Sequence, residues 1–540
     1  MESGSLLFLG ALAFYQAARI IRPVADLLLL NGKIHTMDAA QPLTRAIAFS
    51  NGRVLALGED AIAQRGPRTE VIDLRERTVI PGLVDSHIHF TGYAMAAARV
   101  QLEGARSLEE AVARVEARAR RAEPGELILG SGWNHQDWTD PRFPTKAPLD
   151  RAAPRNPVVL DRKDGHSVWL NSAALKMAHI SRETADPAGG VVERDADGEP
   201  TGLLRENAMK LVSGPIGFDA DKVSEKPLLD AIRRAHRLGL TGIHNVEGAN
   251  ALKAFQSLHS KGLLNLRVLH MIPVENLEHA VALGLQTGLG DGWLRIGGVK
   301  IFADGSLGSQ TAHLLEPFEG QPGNCGVAVT PPEEIERLAV TAANAGLMVA
   351  THAIGDRAIR DVLDAYEKLR REMHTAVLRI EHVQHIDPAD LPRFKELNVT
   401  ASMQPIHAPS DYRMAERLLG KRARYSYAFR SLLGAGAKLI FGSDCPVETL
   451  DPLAGIHAAV TRQRVDGDPA GGWVPEERVS VEEAVGAYTR PLRAGSGQGE
   501  NGAPGDCVVL SQDIFSIPPR EILETKIEYT IAGGQVVYAA

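Results

Sequence analysis

Short apolar runs alternate with helix-length segments over most of the chain, and many of the runs end on a polar residue. Helix-length segments such as 333–345 and 356–372 separate these runs. Strands that alternate with helices predict a parallel sheet, and a long series of them predicts a closed (β/α)8 barrel of the TIM type. The first predicted strand ends at His89, and the eighth ends at Asp444. The six strands between them lie at 240–246, 266–272, 299–303, 349–352, 379–382 and 399–403.

Both ends of the chain have a different pattern, in which short apolar runs meet at tight turns. Asn31-Gly32 and Asn51-Gly52 each lie between two apolar runs, and Gly533-Gly534 lies between the last two. Asn-Gly between apolar runs is a strong hairpin signal. We therefore predict a small β-sandwich built from 24–82 and 495–540, which flanks a barrel over 83–494.

A long segment separates the first two barrel strands and predicts a large insertion at about 91–230. It contains Trp133, Trp138 and Trp169, although aromatic residues make up only 5% of the chain. Long insertions on a barrel often carry function. These tryptophans could line a pocket for an apolar group, or they could simply pack together. The strand-like run 158–161 is assigned to this insertion.

The first 23 residues form an apolar extension whose role the sequence leaves open. The apolar run at 5–15 is shorter than the roughly 20 residues that span a bilayer. No basic residue precedes it, so it is a poor secretory signal. We expect a cytoplasmic protein, with a membrane anchor through residues 5–21 as the less favoured alternative.

Composition is typical of a globular protein and excludes one class of partner. The 540 residues carry a net charge of −8, which provides no electrostatic footprint for nucleic acid. The three cysteines, Cys325, Cys445 and Cys507, are few and far apart, which favours a reducing compartment. Cys445, beside Asp444, could act chemically, but a small apolar filler is the simpler interpretation.

Candidate chemistry begins at the end of the first barrel strand, in the run Val84-Asp-Ser-His-Ile-His89. Side chains two apart on a strand point to the same side, so His87 and His89 project together. Two imidazoles on one face can form half of a transition-metal site. A lone His-x-His pair is weak evidence, and the context must support it.

Four further polar residues end barrel strands in the same way. Because the carboxyl ends of all strands meet at one mouth of a barrel, we expect these side chains to converge with the histidine pair. They are Lys300, His352, His382 and Asp444.

The order His-x-His, Lys, His, His, Asp resembles the amidohydrolase superfamily, and within it the amidohydrolase-3 group that includes N-substituted formamide deformylases. The resemblance extends from about residue 25 to the C-terminus. Four further phrases are similar to that group, namely Asp164-Gly-His-Ser-Val-Trp-Leu-Asn171, Phe302-Ala-Asp-Gly-Ser-Leu-Gly-Ser309, Thr351-His-Ala-Ile-Gly-Asp356 and Gly442-Ser-Asp-Cys-Pro446.

The resemblance implies a centre of one or two divalent metal ions, with zinc as the default. It implies that His87, His89 and Asp444 hold one ion, and that His352 and His382 hold the other. Lys300, carbamylated by carbon dioxide, would bridge them, because an ammonium group cannot itself bind a cation. Asp444 would take the proton from the attacking metal-bound hydroxide and pass it to the leaving amine. Without carbamylation the site would be mononuclear, or Lys300 would bind substrate.

Three polar residues near the predicted mouth are candidates for substrate binding, with Trp133 and Trp169 as apolar candidates. His166 could orient substrate or stabilise an oxyanion, or it could be a structural histidine. Asp304 follows Lys300 in the fourth-strand loop. His407 follows the seventh strand and could contact substrate.

The function that the resemblance implies is hydrolysis of C–N bonds in small non-peptide amides, of the N-substituted formamide or N-acyl amine type. An ester, lactone or carbamate hydrolase would use the same site. A mononuclear deaminase predicts a glutamate soon after His352, but 353–356 contains none. A non-catalytic scaffold predicts missing ligands, yet all six positions are filled. Many relatives form homodimers, although no stretch identifies an interface.

Overall fold

Eight parallel strands form the central sheet of the molecule, in sequence order from the first strand to the eighth. This arrangement confirms the predicted barrel. The computed structural model describes residues 24–135, 138–140, 142–162, 167–187, 190–213, 223–308, 310–493 and 502–540. The barrel strands are Leu83–Ile88, Leu240–Asn245, Arg267–Pro273, Leu294–Phe302, Met348–Ala353, Leu378–His382, Val399–Met403 and Lys438–Phe441.

The first and last strands of the barrel meet through backbone and side-chain bonds. The Asp444 N–H donates to the His87 carbonyl at 2.8 Å, and the Ser443 N–H donates to Asp85 Oδ1 at 3.0 Å. A Cβ at Gly442 would lie only 2.5 Å from the His87 nitrogen. Glycine there lets the eighth strand approach the first, which brings Asp444 beside His87.

Helices follow most of the barrel strands, as the helix-length segments between the apolar runs predict. The segment 356–372 is one example, because its helix Asp356–Glu372 buries Ile359, Val362 and Leu363 along one face. The helices of the barrel region are Leu277–Ala282, Pro332–Asn344, Asp356–Glu372, Leu391–Glu396, His407–Leu419, Phe429–Gly434, Pro452–Thr461 and Val481–Tyr488. Helix Glu225–Arg237 precedes the second strand.

The two chain ends form two sheets that share one buried apolar cluster. One sheet contains Arg53–Leu57, Ile47–Ser50, Leu27–Leu30 and Glu70–Asp73. The other contains Gln535–Ala539, Ile527–Ala532, Cys507–Leu510, Thr78–Pro81, Lys33–His35 and Leu43–Thr44. Leu29 and Phe49 from the first sheet belong to the same cluster as Val509 and Ile531 from the second. The short helix Glu59–Ala63 also lies in this region.

A second compact unit comprises His89–Arg233 and Val246–Leu263. Its sheet has six strands, in the order Gly190–Arg194, Pro200–Glu206, Ser167–Leu170, Val158–Arg162, Ile128–Trp133 and Val100–Gln101. Its helices are Phe90–Ala98, Leu108–Ala119, Lys146–Ala152, Ser172–Met177, Lys210–Ser213 and Ala249–Ser260. The strand-like run at 158–161 therefore belongs to this unit and not to the barrel.

Candidate metal centre

His87, His89 and Asp444 come together at the carboxyl end of the first barrel strand. One ligand-type atom from each of the three lies within 4.8 Å of the others. His87 is the last inward residue of its strand, whereas His89 caps the helix Phe90–Ala98 that follows. Two imidazoles and one carboxylate at this spacing are a donor set that suits a divalent metal ion such as zinc.

His352 and His382 lie beside this group. The His382 ring centroid is 4.7 Å from that of His87 and 4.5 Å from that of His352. The three rings therefore form a continuous row across the mouth of the barrel, although they come from strands one, five and six. The structure thus brings together the histidines that the sequence pattern predicts.

Two of these candidate ligands have a left-handed backbone. His382 has a φ of 73° and Asp444 has a φ of 58°. Side chains of consecutive residues on a regular strand point to opposite sides. The left-handed turn at His382 ends the strand and lets Glu381 and His382 both face His87. A non-glycine residue in this conformation costs of order 1–3 kcal/mol, and such residues cluster at functional sites.

Each histidine of the row uses one ring nitrogen for a protein acceptor. His352 Nε2 donates to the Gly305 carbonyl at 2.9 Å, and His382 Nδ1 lies 2.9 Å from Gln404 Oε1. His87 Nδ1 lies 2.6 Å from Glu381 Oε2. A partner at one nitrogen sets the tautomer and leaves the lone pair of the other nitrogen for a metal ion. The donor chemistry of the site therefore fits a bound divalent ion.

Electrostatics favours the neutral form of these rings. Burial lowers the pKa of His352 to about 3, and the nearby Lys300 charge acts in the same direction. Burial also lowers the pKa of His87 and holds that of His382 well below its ordinary value. Only the neutral imidazole has a lone pair for a metal, so the row is already in its ligand form at neutral pH.

Lys300 lies in the barrel interior with 2% of its surface exposed. Its Nζ is 4.6 Å from the centre of the Phe302 ring. Burial lowers the pKa of Lys300 to about 8 despite the opposing charges of Glu381 and Asp444. A larger fraction of this amine is therefore uncharged near physiological pH than in an exposed lysine.

The candidate substrate contacts have different environments. Asp304 is buried and accepts backbone N–H bonds from Ile354, Gly355 and His313, at 2.8–3.0 Å. Burial raises its pKa to about 7. Its carboxylate therefore anchors the loops after the fourth and fifth strands, and its Oδ1 lies 3.4 Å from His352 Nε2. A contact of Asp304 with substrate stays a prediction.

His407 and His166 remain predictions. His407 begins the helix His407–Leu419, and its Nε2 has no hydrogen-bond partner among the described residues. His166 lies outside the described residues.

The tryptophans of the insertion are core residues. Trp133 and Trp169 are fully buried, and Trp138 belongs to the same apolar cluster. The Trp133 indole donates to the Leu160 carbonyl, and the Trp169 indole donates to the Thr145 carbonyl. This corrects the expectation that Trp133 and Trp169 contact substrate: their polar atoms are bonded and their faces are enclosed, so they pack, which was the alternative interpretation.

The sequence pattern did not single out three charged residues of the barrel interior. Asp85 accepts N–H bonds from His87 and Ser443, and burial raises its pKa to about 7. Arg379 and Glu381 form a buried ion pair against His87. A signal was present, because Arg379-Ile-Glu381 places opposite charges two apart in an otherwise apolar strand.

Burial raises the pKa of Cys445 to about 12, so its thiol is neutral.

The barrel and its row of candidate metal ligands are typical of a metal-dependent hydrolase, and comparison with known proteins agrees. The sequence matches the amidohydrolase family over residues 70–538. The protein LONG AFTER FAR-RED 3 of Arabidopsis thaliana is 35% identical to it over 543 residues, covering 95% of this chain and 92% of its own. The N-substituted formamide deformylase of Arthrobacter pascens is 28% identical, covering 95% and 98%.

A solved structure has the same architecture. That of an uncharacterized metal-dependent hydrolase from Pyrococcus furiosus superposes with a TM-score of 0.69 at 31% identity, covering 91% of this chain and 100% of its own. The chain belongs to the amidohydrolase family, which confirms the resemblance inferred from the strand-end residues. In the described part of the chain, no helix is both long and apolar enough to cross a membrane. Residues 5–21, the alternative membrane anchor, lie outside that part.

Proposed function

We propose that this protein hydrolyses the C–N bond of small non-peptide amides, of the N-substituted formamide or N-acyl amine type. The observation that carries the proposal is the convergence of His87, His89 and Asp444 with the neighbouring rings of His352 and His382. The similarity to a formamide deformylase over nearly the whole of both chains supports the substrate class.

The residues of the site divide into two sets of ligands. His87, His89 and Asp444 would hold one divalent ion, and His352 and His382 would hold a second. Zinc in these positions would supply a Lewis acid for the substrate carbonyl and lower the pKa of bound water towards about 7. Nitrogen and oxygen donors also suit other divalent ions, but zinc is the first choice for this set of ligands.

Lys300 would bridge the two sets as a carbamate. Its neutral amine attacks carbon dioxide, a new N–C bond forms, and one amine proton is released, which leaves an anion with two oxygens. The lowered pKa favours this reaction, because only the uncharged amine has a lone pair to donate. Burial then shields the carbamate from bulk water, and positive charge in the site balances its negative charge.

Asp444 would carry the proton during hydrolysis. Its Oδ1 lies 3.6 Å from His87 Nε2, and 12% of its side chain is exposed at the mouth of the barrel. It can therefore accept a proton from the attacking water and deliver it to the leaving nitrogen. This transfer matters for amides, because an amine leaves readily only after its nitrogen is protonated.

The first experiment is elemental analysis of the purified full-length protein. We expect about two zinc equivalents per chain, and about one in Lys300→Ala, since the bridging ligand is lost. One equivalent in both proteins would contradict the bridging role of Lys300. No metal, and none taken up from added Zn²⁺, would contradict the metal centre itself.

The substrate class needs a separate assay. The zinc-loaded protein is offered matched sets of N-formyl amines, N-acetyl amines, esters, lactones and carbamates that share the same apolar group. We expect the highest kcat/KM with an N-formyl or N-acyl amine. Faster turnover of the ester, lactone or carbamate set would replace amide hydrolysis by that reaction.

We also propose that the protein works in the reducing environment of the cytoplasm, since Cys325, Cys445 and Cys507 are all unpaired. Labelling of the denatured protein, isolated without reductant, should find three free thiols. A homodimer stays a prediction that sedimentation analysis can decide.

A further inference from the structure

A buried ion pair lies directly behind one of the candidate metal ligands. Glu381 is fully buried and Arg379 is 2% exposed. Arg379 Nη2 donates to Glu381 Oε2 at 2.9 Å, and Arg379 Nε donates to Glu381 Oε1. The same Glu381 Oε2 lies 2.6 Å from His87 Nδ1. One carboxylate therefore serves both the guanidinium and the imidazole.

The donors and acceptors of this group determine where the His87 proton is. A guanidinium only donates, so a carboxylate that binds it through both oxygens is ionised and only accepts. Arg379 reaches both oxygens of Glu381, one through Nε and the other through Nη2. The proton between His87 and Glu381 must then be on His87 Nδ1. The other nitrogen, Nε2, is left facing Asp444 Oδ1.

Arg379 is itself held from two further sides. Its Nη2 also donates to the Ser86 carbonyl, which precedes His87 in the first strand. Its Nη1 donates to His244 Nδ1 at 2.9 Å. The guanidinium thus links strands one, two and six of the barrel, and Glu381 has little freedom to move away from His87.

We propose that Glu381, fixed by Arg379, is a positioning residue that holds His87 as the Nδ1-protonated tautomer with Nε2 directed at the metal ion. The inference rests on the metal centre proposed above. His352 and His382 have neutral oxygen partners in the same role, from Gly305 and Gln404. A charged acceptor forms the stronger bond and makes the ring a better donor to a metal.

The energetic cost of the pair supports a functional role. Two charges removed from water are seldom more stabilising than apolar side chains of the same volume. A pair that only filled the barrel interior would therefore be replaceable without loss of stability. Its contact with His87 gives the charge at this position a function that an apolar side chain could not provide.

The test measures Zn²⁺ affinity of the full-length protein after chelator treatment, by competition with a chromophoric chelator. In Glu381→Gln the side chain keeps its length and an acceptor oxygen but loses its charge. We expect Zn²⁺ affinity to fall roughly 10- to 100-fold, as found for other carboxylates behind a histidine ligand. The control Glu477→Gln removes a buried carboxylate that binds Ser431 at a distant position, and its Zn²⁺ affinity should equal that of the wild type.

Glu381→Gln leaves Arg379 buried without a counterion, so the double variant Arg379→Met with Glu381→Gln is measured beside it. We expect the double variant to recover the metal-free thermal stability but not the Zn²⁺ affinity. Affinity that recovers with stability would mean that the pair acts only on the fold, and would overturn the inference.

A second readout needs neither metal nor a folded Glu381 variant. In the metal-free wild type with ¹⁵N-labelled histidine, we expect a strongly deshielded proton on His87 Nδ1, identified by its loss in His87→Gln. A proton found on Nε2 instead would overturn the inference. Wild-type protein that binds no Zn²⁺ would overturn both proposals, whereas unchanged affinity in Glu381→Gln would overturn only this one.

Discussion

Two regions of this chain are equally closed to water but have opposite chemistry. The barrel interior buries Lys300, Arg379 and Glu381, all with at most 2% of their surface exposed. The core of the insertion buries Trp133 and Trp169 among aliphatic side chains, and each indole N–H is bonded to a backbone carbonyl. The first region is charged, whereas the second is apolar, with the indole N–H groups of Trp133 and Trp169 bonded within it.

The difference shows which kind of burial indicates function. An apolar cluster stabilises a fold in proportion to the surface it removes from water. A charge loses several kcal/mol of hydration when it is buried, which its partners repay only in part. Clustered tryptophans are therefore explained by stability alone, whereas clustered buried charges need another explanation. Here the charges surround the histidine row.

The largest effect on activity should come from the charged region. In the proposed mechanism, Asp444→Asn removes the proton carrier and one metal ligand while it keeps the shape of the side chain. We expect kcat/KM to fall by at least roughly 10²- to 10⁴-fold with the fold intact by circular dichroism.

The matched control for Asp444→Asn is Asp390→Asn. That carboxylate is also buried, but its partners are Arg360 and Arg393 on the helical layer. This variant should lose stability and keep its kcat/KM. Full activity in Asp444→Asn would remove Asp444 from the mechanism.

The apolar region should show the opposite response. Trp133→Ala leaves a large cavity and removes a bonded indole, so we expect a loss of about 3–5 kcal/mol in the free energy of unfolding. Urea unfolding followed by circular dichroism measures it. KM and kcat should change little at temperatures where the variant is folded.

Trp293 provides the control, because it is only half-buried beneath Arg267. Its replacement by alanine should cost clearly less stability than Trp133→Ala. If Trp133→Ala instead changed KM and left stability unaltered, the cluster would be a binding surface and the contrast between the regions would fail.

Removing the buried lysine charge should stabilise the metal-free fold. The pKa of Lys300 falls from 10.5 to about 8 on burial, which corresponds to a cost of about 3 kcal/mol at neutral pH. Lys300→Met avoids that cost, so in carbon dioxide-free buffer the metal-free variant should have a higher Tm than the metal-free wild type. Under the proposed function, the same variant binds only one metal ion when zinc is added.

Lys368→Met is the control for this effect. Lys368 is exposed and pairs with Glu336 on the surface, so its replacement should leave Tm unchanged. An unaltered Tm in Lys300→Met would mean that neighbouring charges fully offset the cost of burying the Lys300 ammonium in the metal-free protein.

The stability gain in Lys300→Met should also depend on pH, and this is the smallest expected effect. Between pH 8 and 10.5 the unfolded chain holds the Lys300 proton more tightly than the folded chain does. The stability of the wild type therefore rises with pH across this window. The difference in Tm from Lys300→Met should shrink from pH 8 towards pH 10.5, and a constant difference would contradict the lowered pKa.

The amino-acid sequence alone was enough to predict the barrel and most of its candidate ligands. Both follow from local rules: apolar runs of strand length separated by helices, and polar residues where those runs end. His87, His352, His382 and Asp444 are found where these rules put them, at one mouth of the barrel. The pattern needs no knowledge of distant contacts, because parallel strands all present their carboxyl ends on the same side.

Only the tertiary structure decided which buried side chains act together. Glu381 and His87 are 294 positions apart, and they meet because the barrel brings strand six across to strand one. The left-handed backbone at His382 ends the strand alternation, so that Glu381 and His382 both face His87. Likewise, no local pattern distinguishes tryptophans that line a pocket from those that fill a core. Burial and pairing are properties of the folded chain, because they depend on which residues from other segments surround a given side chain.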